Sequence, residues 1–261
     1  MSISVALAAR NGARFLRAQV DSILPQLHGD DQLIISVDPS TDTTLELARQ
    51  LAQSSSFIEV VEGPGQGISG NFQNAIQACS GRHIFLCDHD DIWYPEKVAK
   101  VLAAFVDSNA ALVMHDAMVV GEDLELLEPS FFAQRDSKPG YTRNIIKNSY
   151  IGCCMAFGRE LKHHILPFPK SIPMHDQWIG LLAEKFGGVC FLDEPLIKYR
   201  RHNDNATRST HASVSQMVAW RASLMQELVK RTVEIEHQEL DREHQLAREL
   251  EIAREHELGH R

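Results

Sequence analysis

The chain contains the stretch Cys87-Asp88-His89-Asp90-Asp91-Ile92-Trp93, in which three carboxylates fall within four positions just after the apolar run 83–86. The run is typical of a short buried strand, and open α/β sheets bind ligands at the carboxyl ends of their strands. A magnesium-like ion held by one or two carboxylates and by phosphate oxygens would relieve the repulsion between these acids. The stretch therefore predicts a metal that holds a phosphorylated substrate, or a turn in which Asp90 or Asp91 caps a helix starting near Pro95.

On the N-terminal side of this stretch, predicted strands alternate with predicted helices. Apolar runs at 3–8, 32–37 and 57–61 indicate strands, and amphipathic patterns at 14–24, 45–51 and 71–78 indicate helices. Such alternation predicts an α/β fold with a mostly parallel, doubly wound sheet. Polar residues follow the first, second and fourth strands, so we expect the functional site at the edge of the sheet where these strands end.

Composition narrows the class of protein. The 261 residues carry a formal net charge of -9, which argues against nucleic acid as the main partner. No run is long enough to span a bilayer and no signal-peptide pattern occurs at the N-terminus, so we expect a soluble cytoplasmic protein. The five cysteines lack the spacing of zinc or redox motifs, and we expect reduced core residues.

Several motifs together resemble one family. In order they are Ala8-Ala9-Arg10-Asn11-Gly12, Asp38-Pro39-Ser40-Thr41-Asp42, Gly70-Asn71-Phe72, the acidic stretch 87–93, Gly152-Cys153-Cys154, His175-Asp176-Gln177-Trp178 and Tyr199-Arg200-Arg201-His202-Asn203. Their order and spacing are similar to those of family 2 glycosyltransferases of the GT-A fold. The last motif resembles the bacterial rhamnosyltransferase-like branch, and the resemblance covers roughly residues 3–208.

The resemblance implies a donor site for a nucleoside-diphosphate sugar. Asp38 would contact the nucleobase, Asp88 the ribose or a metal, and Asp90 a Mn²⁺ or Mg²⁺ ion that bridges the phosphates. The remaining donor-binding and metal-binding candidates are Ala9, Asn11, Asn71, Arg200, Arg201 and His202. The basic segment would close over the diphosphate, although Arg201 by itself is equally typical of an ordinary solvated turn.

By the same resemblance, Asp176 would be the general base that acts on the acceptor hydroxyl and gives inversion. Asp176 equally suits an N-cap of the helix that follows it. Contacts to the sugar or the acceptor would come from Trp93, Asp91, Gly152, His175 and Trp178. Aromatic residues at such positions are nonetheless core more often than platform.

One motif departs from the family pattern. The second-strand motif usually reads Asp-Asp-Gly-Ser-Thr-Asp, whereas this chain has Val37-Asp38-Pro39-Ser40-Thr41-Asp42. Proline fixes φ and excludes the left-handed turn that glycine allows, so we expect a differently shaped base-binding loop.

Two other patterns suggest different chemistry. Gly65-Gln66-Gly67-Ile68-Ser69-Gly70 matches the dinucleotide-binding fingerprint, but two strand-helix units precede it where the fingerprint normally opens the fold. His256-Glu257-Leu258-Gly259-His260 matches the zincin pattern at a chain end that would make a poor scaffold.

The segment 213–261 differs in character, because apolar residues at helical spacing give way to glutamate, arginine and histidine. It predicts one or two amphipathic helices whose first part packs on the domain. The second part would be a solvated helix, a self-association surface or a peripheral contact with the inner face of a membrane. An excess of acids over bases weakens the membrane alternative.

The sequence therefore predicts a GT-A half that binds nucleotide sugar (1–110), an acceptor-binding and catalytic half (111–212) and a charged helical tail (213–261). The expected activity is metal-dependent, inverting transfer of a sugar to a glycan or lipid-linked acceptor in bacterial surface polysaccharide synthesis, with rhamnose as one candidate sugar. A nucleotidyltransferase and a catalytically inactive sugar-nucleotide-binding or glycan-binding module are the alternatives.

Overall fold

The structure is a computed structural model that describes residues 2–202 and 213–259. Its strands are β1 Ile3–Ala9, β2 Gln32–Val37, β3 Ile58–Glu62, β4 His83–Asp88, β5 Ile92–Trp93, β6 Leu112–Val120, β7 Leu126–Glu128, β8 Met155–Gly158 and β9 Val189–Arg200. Its helices are α1 Leu16–Ile23, α2 Thr44–Ser54, α3 Gly67–Ala78, α4 Lys97–Ser108, α5 Phe131–Arg135, α6 Tyr141–Ile146, α7 Arg159–Ile165, α8 His175–Phe186 and α9 Val214–Gly259.

A single mixed sheet organises the fold. Its strand order is β3-β2-β1-β4-β8-β6-β9-β5, and β7 pairs with β6. The first four strands are mutually parallel, and β8 runs antiparallel to both β4 and β6. The predicted α/β fold is confirmed, with the qualification that the second half of the chain adds antiparallel pairs.

The apolar runs form strands because helices cover both faces of the parallel part of the sheet. Every residue of β1 is buried, and so are most residues of β2 and β4. Register pairs Ala8 with Asp88 and Ala9 with Val37, so the carboxyl ends of these strands meet at one edge. Their polar loops are thereby brought together.

The two predicted halves of the domain share this sheet. Strand β8 lies between β4 and β6, and β5 pairs with β9. This last pairing makes the helix-capping alternative for Asp90 and Asp91 wrong. The chain continues after them as a strand, and α4 begins only at Lys97, with Glu96 at its N-cap position.

The tail forms one helix of 46 residues, α9, rather than two. Leu224, Leu228 and Ile235 are buried where its first part packs on the body, which confirms that part of the prediction. Arg231 strengthens the contact by donating to the carbonyl oxygens of His164 and Leu166, at 2.9 Å each. No helix in the described ranges is both long and apolar enough to cross a bilayer.

Some predictions lie outside the described residues. They are the end of the last family motif, from Asn203 onward, and the side chains of the zincin-like pattern 256–260.

Candidate active site

The loops that follow β1 and β2 are bound to each other. Asn11 adopts a left-handed conformation with φ of 48°, and its Oδ1 accepts a hydrogen bond from the backbone of Thr41 at 2.8 Å. In return, the Asn11 backbone donates to Ser40 Oγ at 3.1 Å. Hydrogen bonds between Asn11 and residues 40 and 41 thus hold the loop that contains Pro39 against the loop after β1.

Asp38 and Asn71 lie side by side beneath these loops. The Asp38 Oδ1 accepts from the backbone of Gly65 at 2.9 Å, and its own backbone donates to the Ala9 carbonyl at 3.0 Å. The Asn71 side chain donates to the same carbonyl at 3.1 Å. A Cβ at Gly63 would lie 2.4 Å from Asp38 Oδ1 and 2.6 Å from Asn71 Oδ1, so only glycine fits there. Four predicted donor-site positions, Ala9, Asn11, Asp38 and Asn71, therefore occupy one edge of the sheet.

The acidic stretch contributes three carboxyls with different electrostatics. Burial, followed by the charges of Asp90 and Asp176, raises the pKa of Asp88 to about 7. Burial and the charges of Asp90 and Asp88 raise the pKa of Asp91 well above its ordinary value. Burial also opposes ionisation of Asp90, but the hydrogen bond to His202 outweighs it and lowers the pKa of Asp90. Asp90 and His202 lie 2.8 Å apart and form an ion pair when the imidazole is protonated.

Part of this cluster fits a divalent cation. Potential ligand atoms of Asp88, Asp91 and Cys153 lie within 4.8 Å of one another. The Asp91 Oδ2 is buried and has no hydrogen-bond partner among the described residues, whereas Oδ1 accepts from the backbone of Arg200 at 2.9 Å. Carboxylate oxygens suit Mg²⁺ and Mn²⁺, while a thiol does not, and burial raises the pKa of Cys153. The carboxylates therefore fit the ion, although the structure groups Asp91 with Asp88 and places the predicted ligands Asp90 and His202 against each other.

Arg200 is buried and holds the acidic loop in place. Its Nε donates to the Asp90 carbonyl at 2.7 Å, and its Nη1 donates to the Glu122 carbonyl. The guanidinium carbon lies 4.7 Å from the ring centre of Phe15, and the His202 ring lies 5.0 Å from the same ring. Arg201, in contrast, is exposed, and its guanidinium lies 5.9 Å from the Tyr199 ring.

Asp176 lies in the first turn of α8, where Met174, and not Asp176, occupies the N-cap position. The helix-capping alternative is therefore wrong. Burial raises the pKa of Asp176 to about 7, against hydrogen bonds from the Gln177 backbone and from Asn148. The charge of Asp176 in turn raises the pKa of Asp88, so the two carboxyls share one environment.

His175 and Gly152 form the wall next to Asp176. The His175 ring stacks on Phe72 with ring centres 4.5 Å apart, and burial lowers its pKa to about 4. A Cβ at Gly152 would lie 3.2 Å from His175 Nε2 and 3.9 Å from the Asp176 Cβ. Gly152 thus permits close approach of its loop to the start of α8.

The two predicted aromatic contacts belong to the core. Trp178 is fully buried and donates from Nε1 to the Ile165 carbonyl at 2.9 Å. Trp93 is 3% exposed, and its ring lies beneath the ammonium of Lys97 at 3.8 Å. Rings without accessible surface offer nothing to a sugar, so we leave both out of the proposed site.

Sequence reasoning missed Lys97. This lysine is fully buried, donates to the Cys153 carbonyl at 3.0 Å, and lowers the pKa of Asp88 through its charge. Its position after Glu96 at the start of a helix looks like that of any surface lysine. The signal that could have identified Lys97 is that it is a cation only a few residues after a strand that ends in carboxylates.

Comparison with known proteins identifies the family of this chain. Residues 4–166 match the family model described as "Glycosyl transferase family 2". A glycosyltransferase of Nostoc sp., itself uncharacterized, is 28% identical over 84% of this chain and 70% of its own length. The teichuronic acid biosynthesis protein TuaG of Bacillus subtilis is 26% identical over 78% of this chain and 80% of its own length. The dTDP-rhamnosyl transferase RfbG of Shigella flexneri is 25% identical over 76% of this chain and 72% of its own length.

Solved structures share the fold at lower identity. Residues 1–349 of TarS from S. aureus, in complex with UDP-GlcNAc, superpose with a TM-score of 0.64 at 15% identity. That match covers 83% of this chain and 63% of the TarS chain. The mannosyltransferase PcManGT from Pyrobaculum calidifontis, in complex with GDP-Man and Mn²⁺, gives a TM-score of 0.55 at 18% identity, covering 90% and 64% of the two chains. This chain therefore spans less than two thirds of each of these solved chains.

Proposed function

The chain belongs to glycosyltransferase family 2, and we propose that it transfers a sugar from a nucleoside-diphosphate sugar to a hydroxyl of a cell-surface glycan or its lipid-linked precursor, with inversion. The observation that carries the proposal is the pairing of two features. A cluster of carboxyls follows β4 at the donor edge of the sheet, and a separate carboxyl with a pKa raised to about 7 begins α8.

Asp176 suits the part of the general base. A base with a pKa near 7 is half deprotonated at neutral pH and retains driving force for proton transfer. In the proposed step, Asp176 takes the proton of the acceptor hydroxyl while that oxygen forms a bond to the anomeric carbon. The bond between the anomeric carbon and the diphosphate oxygen breaks, and its electron pair leaves with the nucleoside diphosphate. Inversion requires the hydroxyl to attack from the side opposite the leaving diphosphate, and a base on α8, separate from the acidic stretch after β4, permits that arrangement.

The donor is held at the edge formed by β1, β2 and β4. We assign the nucleobase and ribose to Asn11, Asp38 and Asn71, and the diphosphate to the region of Asp88 and Asp91. A Mn²⁺ or Mg²⁺ ion there would act as a Lewis acid on the diphosphate oxygens. Arg200 positions the acidic loop, because its guanidinium donates to the carbonyls of Asp90 and Glu122. Arg201 is exposed, and His202 lies 2.8 Å from Asp90.

The names and bound ligands of the relatives narrow the choice of donor sugar and of acceptor class. TarS was solved with UDP-GlcNAc, PcManGT with GDP-Man, and RfbG is named for dTDP-rhamnose, so these three donors are the ones to test. The name of TuaG refers to teichuronic acid, which supports a cell-surface polymer as the acceptor class.

The nucleotidyltransferase alternative has less support. Such an enzyme needs cationic side chains in a phosphate loop after the first strand, where this chain has Arg10 and Arg14. Arg14 instead forms an ion pair with Glu122. An inactive binding module would not need a buried carboxyl with a raised pKa next to the donor edge.

The test is a thermal-shift and calorimetric screen against UDP, GDP, dTDP and NAD, each with and without Mn²⁺. A ligand that binds only the folded state raises its stability by mass action. We expect one nucleoside diphosphate to stabilise the protein in a Mn²⁺-dependent manner. Stabilisation by NAD alone, or by none of the four, would contradict the proposal.

A further inference from the structure

Helix α9 carries a second apolar face that nothing covers within the described residues. Its members share an exposure between 45% and 63% and lie along one side of the helix: Val218, Met225, Val229, Val233 and Leu240. We call these five residues the outer stripe. Exposed apolar residues scattered singly are ordinary, but a row along one helix face marks an interaction surface.

The outer stripe is distinct from the face that docks α9 on the body. That docking face consists of Leu224, Leu228 and Ile235, all of which are buried. At 3.6 residues per turn, the two faces lie about a third of a turn apart around the helix. Docking on the body therefore leaves the outer stripe in solvent.

The spacing of the outer stripe is symmetric. Its successive members are separated by 7, 4, 4 and 7 residues, so the pattern reads the same in both directions from Val229. We propose that the outer stripe pairs antiparallel with that of a second copy of this chain, about a two-fold axis at Val229. Val218 then lies opposite Leu240, Met225 lies opposite Val233, and Val229 meets its own counterpart. An isologous contact of this kind needs a self-complementary surface, which the symmetric spacing supplies.

The charges beside the outer stripe fit the same arrangement. Arg221 and Glu239 are 18 residues apart, which is five helical turns, so both lie on one edge of the stripe. Arg221 donates to the Ile146 carbonyl oxygen from Nε at 3.2 Å and from Nη2 at 2.6 Å, and antiparallel pairing brings this anchored cation near Glu239 of the second copy. The acid at a stripe position, Glu236, lies 3.8 Å from Lys185 Nζ of the body, and the residue opposite it in the second copy is the small Ala222.

Charge also decides between a second copy and a membrane as the occupant. Between Val218 and Leu240 the helix carries four acidic and three basic residues, so it offers neither the basic face that anionic lipid surfaces attract nor strong repulsion to a second copy. From Val218 to Leu240 the stripe is about 33 Å long, enough for a paired-helix contact at the small end of stable interfaces.

Cysteine cross-linking in the 261-residue chain tests both the contact and its direction. All variants also carry Cys190→Ser, which removes the native cysteine that is partly exposed; the other four are buried. Under a mild oxidant, Val229→Cys should form a dimeric disulfide by itself. A mixture of Met225→Cys and Val233→Cys chains should cross-link at least fivefold more than either chain alone. Gln238→Cys, exposed on the far side of the helix, is the matched control and should remain monomeric.

Light scattering gives the independent readout. The unmodified chain should have a dimer mass at tens of micromolar, and Val229→Glu should have a monomer mass with an unchanged circular dichroism spectrum, while Gln238→Glu stays dimeric. A monomeric unmodified chain, or equal cross-linking of Met225→Cys with itself, would overturn the proposal. So would flotation of the monomer with vesicles containing anionic lipid, which would assign the stripe to a membrane. None of these readouts depends on transferase activity.

Discussion

The raised pKa of Asp176 should be visible in the pH dependence of catalysis. A general base acts only when deprotonated, so kcat/KM should fall as pH falls through the pKa of Asp176 in the free enzyme. Burial places that pKa at about 7, whereas the ordinary value for an aspartate is 3.8. The experiment therefore varies the pH across a range in which an aspartate with the ordinary pKa would not titrate.

The expected magnitude follows from the deprotonated fraction of the base. With a pKa of about 7, roughly ten in eleven molecules are deprotonated at pH 8, half at pH 7 and one in eleven at pH 6. We therefore expect kcat/KM to fall about tenfold between pH 8 and pH 6. An aspartate with the ordinary pKa would be about 99% deprotonated at pH 6 and would give a flat profile.

The assay measures release of nucleoside diphosphate from whichever of UDP-GlcNAc, GDP-Man and dTDP-rhamnose serves as donor, between pH 5.5 and 8.5. Because Asp88 also has a pKa of about 7, Asn148→Ala provides the assignment. Asn148 hydrogen-bonds Asp176 and lowers its pKa, so its removal should move the acid limb to higher pH. A flat profile in the unmodified enzyme, or an acid limb that Asn148→Ala leaves unmoved, would refute Asp176 as the titrating base.

Three further predictions concern the surroundings of the site. Asp91→Asn should weaken donor binding in the presence of Mn²⁺ at least tenfold, since it neutralises one of the two carboxylates assigned to the ion. Calorimetry showing that the variant with Mn²⁺ binds the donor as tightly as the unmodified chain would contradict this. Lys97→Met should destabilise the protein by about 1–3 kcal/mol, because the buried Cys153 carbonyl loses its donor. Lys100→Met, which removes an exposed ion pair with Glu194, should destabilise it less. Denaturant titration of both variants makes the comparison. The pKa of His175 is about 4 in the folded chain and 6.5 in an unfolded chain, so the unfolded chain binds a proton more readily. This group should therefore lower the free energy of unfolding by about 2 kcal/mol between pH 7 and pH 5. His175→Phe should reduce that loss, and an equal loss in the variant would count against a buried neutral histidine.

The parallel half of the sheet was predictable from sequence because its signals are local. Strands β1, β2 and β4 are continuous apolar runs, since helices cover both of their faces, and polar turns mark their carboxyl ends. The donor-edge residues follow those strands directly. Their proximity in space is therefore a consequence of parallel pairing alone.

Features that depend on distant pairing could not be read in the same way. The segment after Asp91 looks like a turn into a helix, and it becomes β5 only because β9, about a hundred residues later, pairs with it. The same pairing brings Arg200 to the backbone of the acidic loop. Trp93 and Lys97 are buried together by contacts from β9 and from the loop at Cys153, which no local pattern encodes.

One paired measurement tests directly whether Asp176 is the base of a sugar transfer. Donor affinity and nucleoside-diphosphate release are compared for the unmodified chain and for Asp176→Asn, using UDP-GlcNAc, GDP-Man and dTDP-rhamnose with Mn²⁺. We predict that the variant binds the donor within about threefold of the unmodified affinity while turnover falls by about 10²–10⁴-fold. Equal turnover in the two proteins, or no release from any of the three donors by the unmodified chain, would contradict the account.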